Sequence, residues 1–189
     1  MSVFPPFDVV GALSDWAAST RAFRRNKVPI RKKIVAAALC NGGYSYRDVA
    51  SMVGGISYVA ARDAYLSLVT SLPEETRKHR REVAIDGSEA AIEGHSCYVW
   101  LARDVDTGEI LVFHGSPTGS AEDGARFLSA AASLCLNKPL VRLGRGPSFP
   151  KSLLNLDLYF QPVSSPSIIG RIGKLFLRSG RSPQSGRGK

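Results

Sequence analysis

The sequence predicts an α/β chain in which a small helical module precedes a mixed-sheet domain. Three observations carry this. Helical periodicity runs from Lys32 to Leu72, broken by glycine pairs. At Glu82 the pattern changes to short apolar runs of strand type. An amphipathic stretch from Ala121 is then followed by further short strands.

The elements follow in order. Residues 1–28 read as an irregular arm ending in a basic cluster, "RAFRRNK". Ile34, Ala37 and Ala38 set the period of a first helix, and Asn41-Gly42-Gly43 stops it. Ser45 is a candidate N-cap for a second helix, Tyr46 to Val53, with Val49, Ala50 and Val53 on one face. Gly54-Gly55 turns the chain, and Ser57 caps a third, longer helix. Two helices joined by a glycine turn, the second longer, form a helix-turn-helix pattern over residues 29–72. Residues 73–81, with the run "RKHRR", read as a basic linker.

Strands are expected at Glu82 to Gly87, Ser96 to Asp104 and Glu109 to His114, the last two joined by an Asp-Thr-Gly hairpin turn. Asp104 and Asp106 flank that turn and are expected to face solvent. A helix over Ala121 to Leu136 follows, then the strands "PLVRLG" and "LDLYFQP" with the helical turn "FPKSLLNL" between them. Three antiparallel strands, a helix, then strands alternating with helices describe a ribonuclease H-like arrangement.

Charge narrows the partners. Residues 1–81 hold thirteen Lys/Arg against six Asp/Glu, a balance of +7, whereas residues 82–157 hold six against ten, or −4. Residues 158–189 hold six basic groups and no acid. Basic flanks around an acidic middle suit a polyanion. In a helix-turn-helix the second helix enters the major groove N-terminus first, so Ser57, Tyr58 and Arg62 would meet the bases or phosphates. Arg47 and the Lys32-Lys33 pair would sit near the DNA backbone. Cys40, Cys97 and Cys135 are too few and too scattered for a disulfide framework or a zinc knuckle. No apolar run approaches the roughly 20 residues of a membrane span. The expectation is a cytoplasmic chain with reduced thiols and no membrane partner.

The run "REVAIDGSEAAIEGHSCYVWLARDVDTGEILVFHGSPTGSAEDGARFL" resembles the DDE-type transposases of small prokaryotic insertion sequences, most closely the archaeal type with a helix-turn-helix directly before the catalytic domain. That family has a strand "vAiDEt" with the first catalytic Asp, then a hairpin "vYvWaAiDvdtgeil", then a strand whose second Asp precedes Arg-Gly-Pro. Ala84-Ile85-Asp86, Tyr98-Val99-Trp100, Asp104 to Leu111 and Arg145-Gly146-Pro147 match in order, and the resemblance runs from about Pro29 to Phe176. It implies a DDE domain over residues 82–177, with Asp86 as first acid and metal ligand. Gly144 stands where the second Asp would be. The third acid, a Glu, would fall at Gly173 in "RIGKLF", and no acid follows Asp157.

A DDE site holds two Mg²⁺ roughly 4 Å apart, which need several carboxylate oxygens. Asp86 alone cannot hold them, so its metal affinity is expected to be weak or vestigial, with no bound cofactor. The domain reads as C-terminally incomplete, and residues 178–189, "RSGRSPQSGRGK", as a disordered basic tail. The resemblance therefore implies a transposase-related protein that binds double-stranded DNA, including insertion-sequence terminal inverted repeats, without cutting it. A homodimer is compatible with this. Two alternatives remain at this stage: a transposase-derived repressor or nucleoid-type protein, and a recombinase using Asp123 or Asp157 as an unorthodox acid.

Overall fold

The structure, a computed structural model, describes residues 8–24, 27–72, 76–144 and the backbone of 160–162. Ten elements follow in chain order. Four helices come first: α1 (Val9–Ser19), α2 (Ile30–Asn41), α3 (Tyr46–Val53) and α4 (Tyr58–Ser71). The strands β1 (Glu82–Ile92), β2 (His95–Asp104) and β3 (Ile110–Ser116) precede helix α5 (Ala121–Ser133). The strands β4 (Leu140–Leu143) and β5 (Phe160–Pro162) close the order. The five strands form one mixed sheet, ordered β3-β2-β1-β4-β5. β2 is antiparallel to β1 and β3, whereas β4 is parallel to β1 and to β5.

The local chemistry explains the helix starts. Ser45 accepts from the Asp48 amide at 3.2 Å and Ser57 from the Ala60 amide at 3.1 Å, each satisfying an otherwise orphan donor. Ser120 does the same for α5 through the Asp123 amide. The three helices expected between residues 29 and 72 are present, with both expected serine caps.

The arm expected to be irregular is not. α1 buries Val9, Val10, Leu13, Trp16 and Ala17, one helical face, and Asp8 caps it by accepting from the Gly11 amide. Arg31 of α2 pairs with Asp8 at 2.6 Å. Past the helix, Arg21 adopts a left-handed backbone (φ 54), which costs a residue with a Cβ about 1 kcal/mol relative to glycine.

The helices and the sheet share a core. Six consecutive residues of α2, Ile34 to Leu39, are buried, because α1, α4 and β3 surround the helix. Their core continues into Ala90, Cys97, Val99, Leu101 and Phe113 of the sheet. α5 covers the opposite face with Phe127 and Leu128 against Trp100, Val112 and Val141. Close approach of α2 to β3 depends on missing side chains. A Cβ on Gly115 would sit 2.6 Å from the Leu39 amide nitrogen and 2.7 Å from the Ala38 carbonyl carbon, both backbone atoms that cannot swing away. A Cβ on Gly42 would strike the Gly115 carbonyl oxygen. Asn41 completes the contact, its side-chain amide donating to the Phe113 carbonyl at 2.5 Å.

Within residues 76–81, expected as part of a basic linker, Thr76 to His79 and Arg81 are exposed, but Arg80 is buried. The Arg80 side chain is 1% exposed and binds Asp104 at 2.8 Å and Glu109 at 3.1 Å. Asn137 brackets its backbone, accepting from the Arg80 amide and donating to the Arg80 carbonyl. Asp104 therefore points inward, contrary to expectation. Its other oxygen accepts from the Asp106 and Thr107 amides, which fixes the hairpin turn. Asp106 is the more exposed of the two and pairs with Arg81. A buried ion pair of this kind replaces a solvated run because each charge has hydrogen-bonding partners.

Gly115→Ala should destabilise the protein by about 1–3 kcal/mol, the usual penalty for overpacking. Chemical denaturation checks this. A midpoint equal to that of the unmodified protein would mean that α2 does not press on β3.

Candidate functional site

Asp86 lies at the centre of β1, opposite Leu101 of β2. Side chains alternate across a strand, so it shares a face with Ala84 and Ser88, and across the pair with Leu101 and Arg103. On that face the first turn of α1 docks on β1, with the Val9 amide donating to the Ser88 hydroxyl at 3.1 Å. β4 runs parallel beside β1 and ends at Leu143, opposite Ile85. Gly144 follows, its amide donating to the Ile85 carbonyl at 2.8 Å. A Cβ at position 144 would fall on the Asp86 carboxylate. Asp86 and Gly144 are thus immediate neighbours where the parallel pairing of β1 with β4 ends.

Asp86 and Arg103 are both buried, with 5% and 3% of their surface exposed. Burial pushes the Asp86 pKa up to about 6, and the positive charge of Arg103 only partly opposes this. Burial likewise brings Arg103 down to about 10 against the pull of Asp86. Arg103 was not singled out from the sequence. The available signal was an arginine inside the otherwise apolar run "YVWLAR". Nearby, Glu82 takes Arg142 at 2.5 Å on the neighbouring strand.

The sequence-derived DNA contacts divide into two groups. Arg47, Ser57, Tyr58 and Arg62 come together around the start of α4. Arg47 lies over the Tyr58 ring at 5.8 Å, Tyr58 is 51% exposed, and Arg62 stands one turn further on. Arg62 is exposed and loosely paired with Asp63 at 3.5 Å. Lys32 is placed differently. Its ammonium binds the Glu93 carboxylate and donates to the Gly54 carbonyl at 3.2 Å, tying the helix-turn-helix turn to the β1–β2 hairpin. Lys33 lies over the Phe23 ring at 4.8 Å.

Among curated proteins, the chain is 33% identical over 146 residues to the uncharacterized protein MJ0017 of Methanocaldococcus jannaschii, covering 76% of this chain and 68% of that protein. The chain belongs to the family of that archaeal protein. No protein-family model matches it. Among the solved structures it is similar to is a chain of the "CryoEM structure of simian T-cell lymphotropic virus intasome in complex with PP2A regulatory subunit B56 gamma". That match has a TM-score of 0.38 and 12% identity, covering 71% of this chain and 57% of that chain, a likeness too low to bear on fold or function.

The described residues around Asp86 do not fit a two-metal centre. Among the described residues, no group of three or more His, Cys, Asp or Glu side chains is placed to hold a metal ion. Gly144 offers no side-chain oxygen beside Asp86, and the nearby Arg103 opposes a second cation. Asp123, the alternative acid, is saturated. It accepts from Ser116 at 2.5 Å, Ser120 at 2.8 Å and Thr118 at 3.0 Å, and pairs with Arg126 at 2.8 Å. It opens α5, whose core lies on the other face of the sheet from Asp86. Gly173, Asp157, the Arg145-Gly146-Pro147 match, the turn "FPKSLLNL" and the tail 178–189 lie outside the described residues. No helix among the described residues is long and apolar enough to cross a membrane.

The folded pKa of Asp86 lies above its unfolded value of 3.8, so its favourable contribution is present below about pH 4 and is lost as pH rises through about 6. At neutral pH the ionised group costs up to roughly 3 kcal/mol. Asp86→Asn should therefore stabilise the protein by about 1–3 kcal/mol at pH 7.5, and hardly at all near pH 4. Denaturation across that range tests it. A less stable variant at pH 7.5 would mean that attraction to Arg103 outweighs the burial cost.

Proposed function

We propose that this chain is a DNA-binding protein derived from a DDE transposase of an insertion sequence, with a ribonuclease H-like sheet that no longer performs two-metal strand chemistry. The carrying observation is the adjacency of Asp86 and Gly144 where the parallel pairing of β1 with β4 ends. A ribonuclease H-like domain with the order β3-β2-β1-β4-β5 gathers its acids at this place. Here one carboxylate has a glycine for its neighbour. The sheet order and the run of matching motifs support such an origin.

The binding surface in this reading is the start of α4. Ser57 is spent on its cap, so Tyr58, Arg47 and Arg62 supply the contacts. Arginine suits this role because its planar fork can take guanine O6 and N7 together, or a phosphate. Lys32, engaged by Glu93, contributes by holding the turn in place.

Binding to duplexes carrying insertion-sequence terminal inverted repeats, against random duplexes, tests the reading. About six phosphate contacts would give a slope of log K against log salt near −5, at roughly −0.9 per contact. Arg62→Ala should weaken binding to the repeats more than to random DNA. Equal affinity for both duplexes would favour a nucleoid-type protein. An affinity independent of salt would remove DNA from the account.

A further inference from the structure

Between the segment that follows α1 and the side of α4 lies a groove of about 740 Å³. Its described lining includes Arg21, Arg24 and Lys27 from the segment after α1, Lys33 of α2, and Asp63 and Ser67 of α4. Among the described residues that line it are four cations, Arg21, Arg24, Lys27 and Lys33, and one carboxylate, Asp63, which is shared with Arg62. An excess of cations along the walls of a concavity raises the local concentration of polyanions.

Two further observations point the same way. Arg21 keeps a left-handed backbone at the end of α1, where glycine would be relaxed, so the chain retains a side chain at a conformational cost. Lys33 holds its ammonium in a partly desolvated position over Phe23, and burial lowers its pKa. We infer that this groove is a second seat for the phosphate backbone of duplex DNA, beside the start of α4. The two surfaces are continuous, since Asp63 on the groove wall adjoins Arg62 on the exposed face. Phosphodiester fits better than a small anion because the cations are spread along the chain from Arg21 to Lys33. This inference rests on the DNA-binding reading and assigns it a second contact surface that carries no sequence preference.

The test uses the full chain, a labelled random-sequence duplex and fluorescence anisotropy over a salt series, with thermal melting in parallel. Arg21→Gly should raise the melting temperature, because glycine accepts the left-handed backbone, yet weaken binding several-fold. Its salt slope should be shallower by about 0.9. Lys27→Ala should lose the same slope with no change in melting. A merely structural Arg21 would not combine a higher melting temperature with lower affinity. If both variants bind like the unmodified protein while Arg62→Ala still weakens binding, the groove is not a phosphate seat and the DNA-binding reading stands. If the unmodified protein binds no duplex, the DNA-binding reading fails and the groove assignment falls with it.

Discussion

The close approach of α2 to β3 is the constraint on which the rest of the structure depends. Gly115 on the strand and Gly42 past the helix let two backbones meet where any Cβ would collide. Alanines at 36, 37 and 38 keep the helix narrow enough to be buried all round. One face of the sheet is thereby closed by the N-terminal helices, and their core and the core of the sheet become continuous. α3 and the start of α4 are left on the outside, where Arg47, Tyr58 and Arg62 reach solvent. A helical module that could have hung on a linker is instead fixed to the sheet, and Lys32 to Glu93 adds a second tie between them.

That closure also settles the surroundings of Asp86. A carboxylate in mid-sheet needs a cation, a proton or water. In a two-metal site the ions would supply the charge. Here the cation on the same face is Arg103, a residue of the chain itself, and Gly144 stands directly beside the carboxylate. The burial cost is only partly offset, which is why protonation of Asp86 is favoured well above the ordinary carboxylate range. The same sheet carries other charges that are fully matched, Arg80 with Asp104 and Glu109, and Arg142 with Glu82. Asp86 stands out from them as the acid whose position stability alone does not account for.

Much of this was legible in the sequence because short-range chemistry decided it. Ser45, Ser57 and Ser120 cap helices within three residues of themselves, and β2 and β3 start and end within a few residues of their expected bounds. The adjacency of Asp86 and Gly144 was implied only by resemblance, since nothing local joins β1 to β4. α1 was missed although Val9, Val10, Leu13, Trp16 and Ala17 have helical spacing, because Gly11 in the first turn weakens the signal. The burial of Arg80 and Asp104 was illegible for another reason. "RKHRR" reads as a solvated run until Asp104 and Glu109, more than twenty residues away, are folded against it. Lys32 and Arg103 belong to the same class, as their partners come from other elements.

The central claim is that a sheet built for metal-dependent strand transfer now lacks the carboxylates to perform it. The direct measurement is incubation of the full chain with a labelled inverted-repeat duplex in millimolar Mn²⁺ or Mg²⁺, with products resolved on a denaturing gel. The account predicts intact strands at every metal concentration, and the same pattern for Asp86→Ala. Metal-dependent nicks in the unmodified protein that vanish in Asp86→Ala would contradict it, and would show that Asp86 still works with acids the described residues do not include.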